Sequence, residues 1–312
     1  MNTIPTHSFR RLATIAAVLI STMLAVTGCH RTSTPIRATS DSAIIATVKW
    51  DTTYVREGLL LRQAAIDTLY GVPQHISILE VNPYHYGFDV IVNEPNMQTT
   101  QQAARSILAT AAINGSYFDR KKGNSVCYLR RFNTVIDTTA TNEWRLRVTG
   151  AIEIIDGSLD IIKWDKETES AFSSGISTVL ASGPLLLSDG ETCDFSACDS
   201  AFVYTKHPRS AIAETGYNGT WLITFDGRAA GKAEGVNIPE MAHFLRVSGI
   251  KSALNLDGGG STTLWYKYAP DGGVVNRPCD NKQFDNAGER EVANVIAVIP
   301  TYNSPTELLI RR

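Results

Sequence analysis

Short strand-like runs limit what this chain can become. Segments at 44–50, 76–81, 88–92, 146–155, 178–187, 220–225 and 292–298 are apolar or alternating, rich in β-branched and aromatic residues, and separated by Gly, Pro, Asn and Asp. Helical signals are fewer: one covers 100–109, and another covers 239–247 with Asn237 as N-cap and Pro239 in the first turn. Such a pattern predicts an α+β fold, a sheet-rich single domain with a mixed β-sheet packed by a few helices. At 312 residues and 43% hydrophobic, the chain is long enough to bury one large core.

The first residues read as an export signal: Arg10 and Arg11, then an apolar run over 12–26, then small residues ending at Gly28-Cys29. That run is too short to span a bilayer comfortably. Val26-Thr27-Gly28-Cys29 resembles a bacterial lipobox, which predicts lipidation of Cys29 and a membrane-anchored envelope protein on the periplasmic or surface side. The expected division is a signal peptide over 1–29, a Ser/Thr-rich flexible tether over 30–43, a folded domain over 44–300 and a tail over 301–312. Export permits disulfides among Cys127, Cys193, Cys198 and Cys279, with three pairings open. Zinc is the weaker reading, because no CxxC pair or histidine at ligand spacing accompanies these cysteines. A net charge of −2 without a basic block argues against a nucleic-acid partner. Oligomeric state is left open.

Chemistry concentrates in the run Asn255-Leu256-Asp257-Gly258-Gly259-Gly260-Ser261-Thr262-Thr263, where three glycines separate a carboxylate from three hydroxyls. Glycines let backbone amides approach an anion closely, while Asp257 and Ser261 offer a base or ligand and a donor. No Gly-Lys-Ser/Thr follows, so this is not a nucleotide P-loop. Four further segments carry polar groups at the ends of apolar runs. Ala112-Ile113 leads into Asn114-Gly115-Ser116 and then Asp119; His207-Pro208-Arg209 sets a guanidinium beside a stiffening proline; a strand over 222–225 runs into Asp226-Gly227-Arg228; and Glu240 opens a helix. Each alone reads as a turn, a cap or a structural arginine.

The order of these pieces is more specific than any one of them. AINGSYFD at 112–119, ASGPLLLSDG at 181–190, HPRSAIAE at 207–214, LITFDGR at 222–228, Glu240, LNLDGGGSTTLW at 254–265 and the strand ANVIAV at 293–298 together resemble the phosphodiester glycosidase family, over nearly all of 44–300. The resemblance implies a hydrolase that cleaves the glycosidic bond of a sugar-1-phosphodiester, in an envelope or host glycan. Such a substrate leaves as a phosphate monoester and needs little protonation, so the site must mainly recognise an anion and place one carboxylate. Asp257 is the first candidate for that carboxylate, with Glu240 and Asp119 behind it. Arg209, His207, Gly258, Gly259, Gly260, Ser261 and Thr262 are expected on the phosphate, with Asn114, Gly115, Asp226, Arg228 and Asn255 completing the substrate-binding set. No cofactor is expected, although Asp257, Asp226 and Asp119 would suit Ca²⁺ or Mg²⁺ if the fold gathered them. Serine nucleophile chemistry is disfavoured, since no GxSxG occurs. Ser116 and Glu214 depart from the family pattern, and they motivate the alternative of a surface lipoprotein that binds phosphorylated or other glycans without turnover.

Overall fold

The computed structural model describes residues 38–301, apart from 174 and 218. The signal peptide with Cys29, most of the expected tether and the tail beyond 301 lie outside the described residues. Three sheets make the fold of the described residues. The largest has eight strands in spatial order Asp51–Arg56, Leu59–Leu69, Val72–Val81, Thr220–Phe225, Arg209–Thr215, Ile250–Asn255, Leu185–Ser188 and Glu191–Thr192. A five-stranded sheet runs Thr134–Asp137, Leu129–Arg131, Thr178–Ser182, Gly150–Ile155 and Ser158–Lys163, and a four-stranded sheet runs Leu264–Tyr266, Ala111–Asn114, Asn294–Pro300 and Tyr86–Val92. The sheet-rich α+β class holds. In detail every strand pair is antiparallel, where mixed strand direction was expected.

The central strands of the large sheet are apolar on both faces because both faces are covered. Ile212, Leu222, Leu79 and Leu61 point into a core shared with Ile113, Ile296 and Leu180 of the smaller sheets. Their neighbours Ala211, Ile223, Ile78 and Phe225 point the other way, against Met241, Phe244 and Leu245 of the helix Ile238–Val247. That helix begins as its sequence predicts: the Asn237 side chain accepts from the Glu240 amide and the Glu240 carboxylate accepts from the Asn237 amide, a capping box with Pro239 in the first turn.

Several boundaries differ from the sequence reading: the strand expected over 146–155 begins at Gly150, after the helix Thr141–Leu146, the helix expected over 100–109 ends at Ser106, and two larger changes follow. The stretch 44–50 is the end of a helix, Ala38–Ala46, followed by coil, so the helix overlaps both the expected tether and the first expected strand. Its hydrophobic residues Ile44 and Ile45 pack in the core beneath the helix Ile238–Val247, and tertiary packing overrides β-branched preference there. The run 178–187 breaks at Gly183-Pro184 into one strand of the five-stranded sheet and one of the large sheet, because proline supplies no ladder donor. The four cysteines are free thiols, with Cys127 buried, so none of the expected disulfides is formed.

Candidate active site

Antiparallel register gathers the motifs at one rim of the large sheet. Arg209 opens its strand and pairs with Phe225, which immediately precedes Asp226, while Ala211 pairs with Asn255 at the end of the strand Ile250–Asn255. Asn114 ends the facing strand of the four-stranded sheet. Segments about a hundred residues apart in sequence therefore meet around the glycine turn.

Most of the polar residues at this rim serve the turn itself. The Asn114 amide donates to the Asp257 carbonyl at 2.7 Å, and its oxygen accepts from the Ser210 hydroxyl at 2.7 Å and the Thr263 amide at 3.1 Å. Asn255 donates to the Tyr117 hydroxyl at 2.6 Å and to the Gly183 and Leu256 carbonyls at 2.8 Å each. Both asparagines are fully buried, so they hold the turn in place and do not face a sugar. Gly115 contributes its carbonyl, which accepts from the Asp257 amide at 3.0 Å. Arg209 is buried as well. Its Nε and Nη2 donate to the carbonyls of Val236, Phe202 and Thr205, its guanidinium carbon lies 4.7 Å from the Phe202 ring centroid, and desolvation pushes its pKa down to about 10. It remains a cation near neutral pH, within electrostatic reach of Asp257, with most of its donors spent on the backbone.

The glycines act differently from a free amide cradle. The Gly258 amide donates to Asp257 Oδ1 at 2.9 Å, and the Gly259 amide donates to the Pro208 carbonyl at 2.8 Å. Gly259 sits at φ +62°, and a Cβ on Gly260 would collide with Arg290 and Asp280. Glycine is needed here for a left-handed turn and for the close approach of two side chains.

What remains open to solvent at the turn is a partly exposed Asp257, an exposed Arg228, and partly exposed Arg290 and Cys279. Crowding around Asp257 raises its pKa, chiefly by desolvation, against the opposing pull of the Ser261 hydroxyl, Arg147, the Gly258 amide and Arg290. Arg290 pairs with Asp280 at 2.5 Å and reaches the Ser261 hydroxyl at 3.5 Å. Arg290, Arg120 and Arg228 all act on Asp280 and, with the Arg290 hydrogen bond as the main cause, hold it below the usual carboxylate range. Arg147 stacks 3.6 Å from the Tyr117 ring centroid and is anchored by Glu143 at 2.7 Å. His207, half-buried at the same rim, is pushed down by burial and then by Arg209 and Arg228, which favours its neutral form. The arrangement is one carboxylate biased toward proton uptake among several guanidinium groups.

Several expected site residues lie elsewhere or do other work. Both Glu240 oxygens are held by Lys206 Nζ, at 2.5 and 2.6 Å, and one also closes the helix cap. Asp119 is partly exposed, and its carboxylate caps the amides of Lys121 and Lys122 in its own loop. Asp226 is buried, bonded to His75 Nδ1 at 2.6 Å, Asn276 Nδ2 at 3.0 Å and the Arg277 amide at 2.9 Å. Asp257, Asp226 and Asp119 therefore have separate partners and do not form the cation site considered from sequence. Thr262 is buried, its hydroxyl without a partner. Ser116 donates to the Ala181 carbonyl inside the core, and Glu214 lies at the far end of the Arg209 strand beside Ser252, Lys251 and Asp160. Sequence reasoning missed Arg290, Asp280 and Arg147, which sit in segments with no motif. Tyr117 lay inside a quoted motif, without a role.

Comparison with known proteins gives the family and the fold. A family model described as phosphodiester glycosidase covers residues 108–299. The human N-acetylglucosamine-1-phosphodiester alpha-N-acetylglucosaminidase is 26% identical over 223 residues, 64% of this chain and 39% of that protein. Its mouse counterpart is 30% identical over 135 residues, 40% of this chain and 24% of that one. The chain thus spans about two fifths or less of the length of these relatives. The solved catalytic domain of the zebrafish enzyme of the same name, auto-inhibited by its pro-peptide, shares the fold at TM-score 0.59 and 19% identity, over 81% of this chain and 89% of that one. A hypothetical protein from Synechocystis does so at TM-score 0.59 and 16% identity, over 81% of this chain and 64% of that one. With more than half of its length covered by the family model, the chain belongs to the phosphodiester glycosidase family.

Proposed function

We propose that this protein hydrolyses the glycosidic bond of a sugar-1-phosphodiester. The observation that carries the reading is Asp257 on a solvent-facing glycine turn, flanked by Arg228 and Arg290. In the proposed reaction the bond between the anomeric carbon and the phosphate oxygen breaks, and the phosphate monoester leaves with the electron pair. Water adds to the anomeric carbon, and its proton passes to Asp257, whose raised pKa makes it a better proton acceptor than an ordinary carboxylate. Arg228 and Arg290 bind the phosphate as charged donors, replacing the amide cradle expected from sequence. Arg209, Asn114 and Asn255 are positioning residues that hold the turn beneath them. N-Acetylglucosamine, named for the human and mouse relatives, is the first sugar to test. We further propose export and lipid attachment at Cys29, on the strength of the N-terminal sequence.

Binding without turnover has less to recommend it, because of the two residues that prompted that alternative, Ser116 spends its hydroxyl on the Ala181 carbonyl inside the core and Glu214 lies at the far end of the Arg209 strand. Incubation of the purified chain with a model sugar-1-phosphodiester, followed by assay for reducing sugar and phosphate monoester, tests the proposal. Prolonged incubation that yields calorimetric binding and no reducing sugar would favour the binding protein instead.

A further inference from the structure

A groove of about 860 Å³ lies between the short helix Thr141–Leu146, the segment 163–167 and the strands Leu185–Ser188 and Glu191–Thr192. Its volume falls in the range of small-molecule sites, about 300–1,000 Å³. Trp144 stands at its border, partly exposed, with its indole packed against the core cluster that holds Tyr128 and Trp164. Trp144 and Lys166 also border a second hollow of about 390 Å³, lined with Tyr128 and Phe172. A rigid aromatic shared by two neighbouring hollows suits an elongated ligand lying across it.

The polar groups around this groove are unengaged. Trp144 Nε1 and the side chains of Lys163, Lys166, Glu167, Glu191 and Thr192 make no hydrogen bond or ion pair among the described residues. Asp165 and Asp194 are tied locally: Asp165 caps the Thr168 amide at 2.7 Å, and Asp194 accepts from the Ser196 amide at 2.8 Å and its hydroxyl at 2.7 Å. Two lysines against four carboxylates give no cationic excess, which disfavours a phosphate, nucleic-acid or anionic-lipid ligand. A peptide adding itself as a strand would find only the two-residue edge Glu191–Thr192. The lining offers an aromatic surface for the apolar face of a pyranose, ringed by ammonium, carboxylate and hydroxyl groups free to bond its hydroxyls.

We propose that this groove binds a neutral oligosaccharide, with Trp144 as the stacking platform and Glu191 as an acceptor for sugar hydroxyls. The inner end of the groove is near the glycine turn but outside it. There the Leu185 amide donates to Thr149 Oγ1 at 2.9 Å, and Leu185 pairs with Leu254. That places Leu185 one strand across from Asp257 and a few residues back, about 11 Å away by strand geometry. A glycan held in the groove would keep the chain on a polymeric or surface-bound carbohydrate through a second point of attachment. Binding in the groove does not depend on what Asp257 does, so the proposal stands or falls apart from the glycosidase reading.

The test titrates the purified chain with neutral tetrasaccharides of N-acetylglucosamine, mannose and glucose, and with an acidic tetrasaccharide of galacturonic acid, read by calorimetry and tryptophan fluorescence. Expected is binding of at least one neutral tetrasaccharide, tighter than that of the acidic one. Trp144→Ala should weaken it about tenfold or more, the size of a hot-spot aromatic truncation, and Trp144→Phe should restore most of the loss. Glu191→Ala, at an exposed position, should weaken it severalfold with Tm unchanged, and Asp257→Asn should leave it intact. No binding of any neutral tetrasaccharide at about 10 mM, weaker than about 4 kcal/mol, would overturn the proposal, as would preference for the acidic one. Unchanged affinity in Glu191→Ala, or loss of binding in Asp257→Asn, would also overturn it, because the sugar would then lie outside the groove. Glu191→Ala keeps the test decisive if Trp144→Ala fails to fold.

Discussion

Asp257 combines two demands that conflict. Its carboxylate is crowded enough that ionisation is disfavoured, yet the proposed reaction needs it ionised to accept a proton. A carboxyl whose folded pKa is raised binds its proton more tightly in the folded state. Its ionisation therefore weakens the fold as pH climbs above the ordinary carboxylate range, and the penalty is absent below it. Asp257→Asn should accordingly raise Tm at about pH 7 and leave it nearly unchanged at about pH 3, while lowering turnover by about 10³-fold. Differential scanning calorimetry at the two pH values checks the first part. A lower Tm at neutral pH would mean that the aspartate is structural. Arg228→Ala and Arg290→Ala belong to the same scale. Each removes a charged donor worth about 1.5–3 kcal/mol, so KM should rise about 10- to 100-fold with a smaller effect on kcat. Steady-state kinetics on the two variants reads this directly, and an unchanged KM in both would leave the phosphate without its proposed partners.

At the scale of elements, the glycine turn and the capped helix were the clearest parts of the sequence, and for different reasons. The helix at Ile238–Val247 announces itself through Asn237, Pro239 and Glu240, three residues whose local hydrogen bonding depends on nothing distant. The turn was legible as a special place, but its use was misread: Gly258 spends its amide on the neighbouring Asp257, and Gly259 spends its own on Pro208, which lies far upstream in sequence just before the strand Arg209–Thr215. Glu240 fell to the same limit. An acid in the first helical turn looks the same in sequence whether it faces a substrate or Lys206. Replacing Asn237 with Ala should cost about 1 kcal/mol of stability in chemical denaturation, with kcat/KM intact, because the cap lies outside the proposed site. Gly260→Ala should do the reverse of that separation. Its Cβ would displace the Arg290–Asp280 pair, so loss of substrate affinity should exceed what any change in Tm explains.

For the whole molecule, alternation and turn residues were enough to predict a sheet-rich α+β domain, because strands such as Thr220–Phe225 declare their two buried faces locally. The division into three antiparallel sheets was not legible, since it rests on long-range pairing such as Thr220–Phe225 against Val72–Val81. The same limit hid Arg290, which reaches Ser261 from a loop with no motif of its own. It also explains the cysteines: Cys193 and Cys198 lie close in sequence, yet they are not bonded to each other. Reducing agent should therefore leave Tm unchanged, and alkylation of the native chain should label the partly exposed Cys193 and Cys279 before the buried Cys127.

One kinetic comparison bears most directly on the account: release of reducing sugar from N-acetylglucosamine-1-phosphodiester by the unmutated chain, Asp257→Asn and Glu240→Gln. The account predicts release by the unmutated chain, near-complete loss in Asp257→Asn and retention in Glu240→Gln. Undiminished release by Asp257→Asn, or loss confined to Glu240→Gln, would contradict it.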